Sequence, residues 1–318
     1  MLIKFLKTNQ ASTFSTFFGV AFLFLIIRII VKPAILVQVY HPFLSSLVPE
    51  NKILSYSLVF IIGLLVAMGW NNLLSDKNIF KTATILPAFT LILLSSAFEP
   101  SIVWLVYFLM LFAINKLMST YSKTNPYDKL YDSALLVGLS TVIYPTAVWC
   151  IGLVVIASFI YSTPSWRNIM APLLGFLTPF VFVWAYGFYT DSLEQLYSYY
   201  FSPIQFSIPN VEWSVKWILW FIVISVLFLV SLKEMLDWIA MKNLQSRRAF
   251  YIFFVFCVCV FIGLFFSPYG WNHLLLLCLP LSVLIANYFM FQEDKWWYDV
   301  AYLVLIIVSI SLHLWPNH

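Results

Sequence analysis

Charge is what this chain has least of. Asp, Glu, Lys and Arg together make up 9% of its 318 residues, while 63% are hydrophobic. That balance excludes a water-soluble domain, whose surface needs about a quarter of the chain to be charged. The net charge of +4 is too small to point to nucleic acid as a partner. Cysteine is scarce too: Cys150, Cys257, Cys259 and Cys278 all lie inside apolar runs. A disulfide framework needs exposed pairs, and a metal site needs ligand spacing with polar company, so these four read as small packing residues and no metal is expected. Phosphate-binding glycine loops, dinucleotide fingerprints, HExxH and GxSxG are all missing, which removes most soluble-enzyme classes. The sequence names no cofactor.

What is there is apolar length. The charges fall in short islands between apolar runs of roughly 17 to 25 residues, enough for a helix to span a bilayer core. A mean hydropathy of +0.94, with 31 Phe, 18 Tyr and 13 Trp, suits side chains that face acyl tails and rings that sit at the two interfaces. The expected fold is all-α: a polytopic transmembrane helix bundle forming a single transmembrane domain over residues 1–318. Nine full spans are expected, at roughly 13–36, 53–74, 82–98, 101–119, 167–189, 213–232, 249–267, 271–291 and 297–315. Lys4 and Lys7 precede the first run, but Arg28, Lys32 and Pro33 follow it in place of a small-residue cleavage site, so an uncleaved first span is expected.

One apolar stretch, 132–161, is too long for one span and short for two, and Pro145 near its middle predicts a break. Charge decides how it crosses. With a cytoplasmic N-terminus and a re-entrant 132–161 segment, 13 of the 17 basic residues lie on the inside; a single crossing leaves 8 inside and 9 outside. The re-entrant reading wins, with two short helices that stop at mid-depth, shielded by their neighbours. Asp128 and Asp132 are expected to cap a short helix beginning near Ser133. The longest outer loop, 190–212, carries Tyr197, Tyr199, Tyr200, Phe201 and Phe206, a composition suited to lying in the interface.

Two resemblances rest on particular segments. Asn72 and Ser75-Asp76-Lys77-Asn78, then Asp132 to Leu139 and Trp166-Arg167-Asn168-Ile169, resemble an uncharacterised family of integral membrane proteins from Bacteroidota. Gly138-Leu139-Ser140-Thr141 to Pro145, the basic turn at Arg167, and Arg247-Arg248 followed by Asn272-His273-Leu274 and Leu279-Pro280-Leu281 resemble, more loosely, the GT-C membrane glycosyltransferases. These use polyprenyl-phosphate sugar donors. The resemblances imply a GT-C-like layout, a bacterial inner (cytoplasmic) membrane, and polyprenyl-phosphate-linked saccharides handled at the periplasmic face. GT-C enzymes usually carry an essential acid in the first outer loop. Here Val31 to Val48 holds no Asp or Glu, and Glu50 is the nearest; Glu99 occupies the place of a second acid in the next outer loop.

Glycosyl transfer needs a general base and a cation for the donor phosphate. Glu50 and Glu99 are the candidate catalytic acids, against plainer roles as a helix cap and a turn residue before Pro100. Arg28 and Lys32, four apart on one face of the first helix, are the candidate lipid-phosphate ligands, against ordinary snorkelling to head groups. His273 is expected at the mouth of a span, within reach of the same phosphate, and His41 also falls outside. Asp191 and Glu194, with Glu212 beyond the tyrosines, are acceptor-side candidates, against solvated loop charges. Two functions stay open: a GT-C-like protein that binds or transfers polyprenyl-phosphate-linked saccharides, and a non-catalytic scaffold or lipid-handling subunit of an envelope-assembly complex. The expected partners are the lipid bilayer, polyprenyl-phosphate lipids and other membrane proteins. A cation-coupled transporter is disfavoured, because no Asp, Glu or His is expected deep in a span.

Overall fold

A computed structural model describes residues 2–8, 10–31, 51–80, 84–121, 125–161, 165–201, 215–239, 243–267, 270–291 and 296–314. Among these residues every regular element is helical. A short α1 (Leu2–Leu6) precedes α2 (Ala11–Val31), α3 (Lys52–Asp76), α4 (Leu86–Ser95) and α5 (Val103–Met118). The broken segment follows as α6 (Tyr127–Ile143), a 3₁₀ stretch (Pro145–Cys150) and α7 (Ile151–Tyr161). Then come α8 (Trp166–Tyr189), α9 (Leu193–Phe201), α10 (Val215–Ile239), α11 (Leu244–Leu264), a second 3₁₀ stretch (Gly270–Leu277), α12 (Cys278–Phe291) and α13 (Trp296–Leu314). Six of these segments are long and apolar enough to cross a membrane on their own; the shorter apolar pieces 86–95, 103–118, 145–161 and 296–312 pack among them. The chain is a multi-pass helical membrane protein.

Local chemistry starts several helices. Asn51 Oδ1 accepts from the Ile53 amide at 3.0 Å and caps α3, Ser165 Oγ accepts from Asn168 at 3.3 Å at the start of α8, and Asn243 Oδ1 accepts from Ser246 at 3.0 Å on α11. Each side chain pairs an amide that the first helical turn leaves open.

Contacts between helix ends fix a common sense of crossing. One face holds the N-terminus. There Ile3 donates to Asp299 at 2.9 Å, Thr84 donates to Leu6 at 3.1 Å, Lys77 donates to Ser119 at 2.9 Å, and Ser246 donates to Asn78 at 3.3 Å. On the opposite face Arg28 of α2 reaches the end of α4, Phe98 meets Trp220 of α10, and Phe221 stacks on Trp271 with ring centroids 4.7 Å apart.

The broken segment returns to the face it left. Lys116, near the end of α5, pairs with Asp132 of α6 at 3.0 Å, so α6 starts on the N-terminal face. Tyr161 at the end of α7 meets Tyr121 at 6.0 Å, and Arg248 lies over that same Tyr121 ring at 5.8 Å. The hairpin therefore enters and leaves on one side. Two expectations are corrected. The first arm begins at Tyr127, not near Ser133, and Asp132 lies inside α6 as an ion-pair partner of Lys116 and Lys129 rather than as a cap. The arms also do not stop at mid-depth: Tyr144, at the apex, reaches Ser267 beyond the far end of α11. The two arms rise about 25 Å and about 28 Å, close to a full hydrocarbon thickness.

The hairpin is held by close backbone approach. A Cβ on Gly138 of α6 would lie 2.5 Å from the Phe176 carbonyl oxygen, and one on Gly175 of α8 would lie 2.4 Å from that of Tyr131. Small residues at a helix crossing let backbones touch where lipid supplies no hydrophobic drive. Tyr131 and Thr178 add a hydroxyl–hydroxyl bond of 2.9 Å across the same seam.

Candidate functional site

Helices leave their last carbonyls unpaired, and a buried carbonyl needs a donor. At the end of α4 that donor is Arg28. Its guanidinium donates to the Ser96 carbonyl and, at 2.8 Å, to the Phe98 carbonyl. Arg28 is 7% exposed, and its Nε has no hydrogen-bond partner among the described residues. The side chain thus joins α2 to the turn between α4 and α5 on the face opposite the N-terminus.

That turn also carries Glu99. The Trp104 indole donates to the Glu99 carbonyl at 2.9 Å, which fixes the backbone while the side chain stays half-buried. The Glu99 carboxylate lies within electrostatic range of both Arg28 and Tyr56. Tyr56, one turn into α3, is 2% exposed, and its hydroxyl has no hydrogen-bond partner among the described residues. Arg28 and Tyr56 line one cleft of about 40 Å³ between α2, α3, α4 and Trp104, whose other walls include Phe24, Leu25, Phe60 and Leu64. The cleft is therefore apolar except where Arg28, Tyr56, Ser95 and Ser96 reach it.

Of the residues singled out in the sequence, the structure brings Arg28 and Glu99 together. Lys32, His41, Glu50 and Glu212 lie outside the described residues. Asp191 and Glu194 are exposed at the corner between α8 and α9. Asp191 has φ +52°, a left-handed turn conformation that Asp tolerates better than most side chains. Tyr56 was missed; its one signal is the small polar interruption Ser55-Tyr56-Ser57 at the start of an apolar run.

His273 is elsewhere and is not at a mouth. It is 1% exposed, held by Tyr144 at Nδ1 (2.7 Å) and by the Val260 carbonyl at Nε2 (3.0 Å). A carbonyl can only accept, so Nε2 carries the proton; the neutral ring accepts from Tyr144, and Ser267 donates to Tyr144 at 2.6 Å. Thr146 donates to the Phe266 carbonyl at 3.2 Å beside this chain. The cluster pins the hairpin apex to the end of α11. A fully buried histidine departs from the expectation: in the 3₁₀ stretch Asn272 stays half-buried while His273 is enclosed by its neighbours.

The aromatics of the long outer segment also have a defined task. The break at Pro145 frees the carbonyls of Val142 and Ile143, since proline has no N–H and the chain turns into a 3₁₀ stretch. Tyr200 donates to Val142 at 3.1 Å, and Tyr199 donates to Ile143 at 2.7 Å. Burial pushes the Tyr200 hydroxyl up, so it stays protonated and able to donate.

Compared with known protein families, the sequence matches one family model over residues 1–316, described as a family of unknown function (DUF6427). The chain belongs to that family. No protein of curated function matches it. Among solved structures it is similar to the oligosaccharyltransferase of Archaeoglobus fulgidus in two crystal structures. One is tethered by a disulfide to an acceptor peptide containing the NVT sequon, at 12% identity and TM-score 0.45, covering 98% of this chain and 52% of that one. The other is the apo form, at 10% identity and TM-score 0.45, covering 98% and 53%. This chain spans about half the length of those structures.

Proposed function

We propose that the protein binds a polyprenyl-phosphate-linked saccharide at the Arg28 cleft and transfers the saccharide to a hydroxyl acceptor on the same face. The observation that carries the reading is a buried guanidinium that lines an apolar cleft and lies within electrostatic range of a half-buried carboxylate. A cation at that depth is costly unless it meets anionic or carbonyl oxygen, and Arg28 keeps its Nε unpaired after satisfying two carbonyls. The donor's phosphate oxygens meet Arg28, and Lys32, four residues later in the sequence, is the second cation of this reading. The acceptor oxygen attacks the anomeric carbon, the bond to the phosphate oxygen breaks, and Glu99 takes the acceptor's proton. Glu50 is the second acid of this reading, and Asp191 and Glu194 serve the acceptor side.

The sequence resemblance to GT-C enzymes and the excess of basic residues on the N-terminal face support a bacterial inner membrane, with that face cytoplasmic and the cleft periplasmic. The direct test is transfer by membranes that carry Glu99→Gln. The reading expects product to fall by two orders of magnitude or more, on the scale of a lost general base. Undiminished product from both Glu99→Gln and Glu50→Gln would leave the second function, a scaffold or lipid-handling subunit of an envelope-assembly complex.

A further inference from the structure

Two side chains that line the cleft carry buried polar atoms without partners among the described residues. Arg28 Nε and the Tyr56 hydroxyl each lack a hydrogen bond among the described residues, on side chains 7% and 2% exposed. Native proteins leave few such groups, because an unpaired buried donor forfeits its hydrogen bond to water. They belong to different helices, α2 and α3, and converge on one cavity. Arg28 Nε can only donate and the Tyr56 hydroxyl can donate, so one acceptor can satisfy both.

The rest of the cavity narrows the class of acceptor. Apolar side chains, among them Phe24, Leu25, Phe60, Leu64 and Ile92, form most of its wall, which gives a free, fully hydrated anion little to bind. A head group carried on an apolar chain matches an apolar wall with two donors at one end. Glu99 lies within electrostatic range of both side chains. The ligand should then present acceptor oxygens to Arg28 and Tyr56, which a phosphate head group does. Water is the plainer occupant: about 40 Å³ has room for around three molecules at roughly 10–15 Å³ each.

We infer that Tyr56 is a binding residue, the second donor of an oxyanion site whose first donor is Arg28, and that the site takes a lipid-borne phosphate. The inference rests on the proposed function and adds the residue that selects phosphate within it. The Tyr56 hydroxyl sets affinity for the charged head, while its ring stays part of the apolar wall.

Tyr56→Phe tests it, because it removes one oxygen and keeps the ring. The full chain in nanodiscs is titrated with a polyprenyl monophosphate, the matching free polyprenol and a straight-chain alkyl phosphate. The expected result is that Tyr56→Phe weakens polyprenyl phosphate about tenfold or more, the scale of a hydrogen bond to a charged group, and leaves polyprenol unchanged. Without lipid the variant should melt at or above the wild-type temperature, since the hydroxyl it loses has no protein partner among the described residues. Unchanged phosphate affinity in Tyr56→Phe, with the wild type still preferring phosphate over polyprenol, would overturn the role of Tyr56 and leave the proposed function standing. Equal wild-type affinity for alkyl and polyprenyl phosphates, both weakened in Tyr56→Phe, would keep the oxyanion site and remove the polyprenyl substrate. No wild-type preference for phosphate over polyprenol would overturn both.

Discussion

The Tyr144 hydroxyl donates to His273 Nδ1 at 2.7 Å, across 129 residues of sequence, and ties the apex of a broken hairpin to the segment after α11. The bond matters because the apex is where the backbone is least self-sufficient. Proline interrupts the ladder there, and each freed or exposed group finds a side chain: Tyr199, Tyr200, Thr146 and the Ser267–Tyr144–His273 chain. In hydrocarbon a helix can break only where such substitutes exist.

Tyr144→Phe removes the central member of that chain and leaves Ser267 Oγ and His273 Nδ1 without it. The expected cost is about 1–3 kcal/mol, read as a lower melting temperature in detergent with the fold retained. Wild-type stability in Tyr144→Phe would mean that the chain does not hold the apex.

Gly138→Ala should separate α6 from α8. The added methyl meets a backbone oxygen at 2.5 Å, and a backbone cannot swing aside as a flexible side chain does. A loss of about 1–3 kcal/mol is expected, as for other overpacked sites. Gly19 is the control: a methyl group there would meet nothing within 4 Å, and Gly19→Ala, inside α2, should melt at or above the wild-type temperature.

The hairpin makes a prediction about sidedness. Single cysteines at Asp128 and Ser165, placed in a background without the four native cysteines, should react with an impermeant thiol reagent from one side of the membrane. A cysteine at Asp191 should react from the other. Labelling of positions 128 and 165 from opposite sides would mean that the segment crosses once.

Hydropathy made most of the fold legible, because a span is a property of composition alone. The runs expected at 53–74 and 167–189 appear as Lys52–Asp76 and Trp166–Tyr189, and the break at Pro145 falls where proline must interrupt a helix. The depth of the hairpin was not legible, since it depends on which side chains can satisfy the apex, and Tyr199 and Ser267 declare that only once folded. His273 and Tyr56 were hard to place for the same reason. A single polar residue near the start of an apolar run looks alike whether it turns to head groups or into the bundle. Arg28 stood out as a charge inside a span, but its carbonyl partners at Ser96 and Phe98 leave no trace in sequence, as every residue has a carbonyl.

The central claim is that the Arg28 cleft holds a lipid phosphate. Native mass spectrometry of the protein, extracted gently from its own membrane, tests it most directly. The account predicts a retained polyprenyl-phosphate species that disappears when Arg28 and Lys32 are replaced by Met, in protein shown by its melting curve to be folded. Bulk phospholipid alone on the wild type, or a polyprenyl phosphate that survives both substitutions, would contradict it.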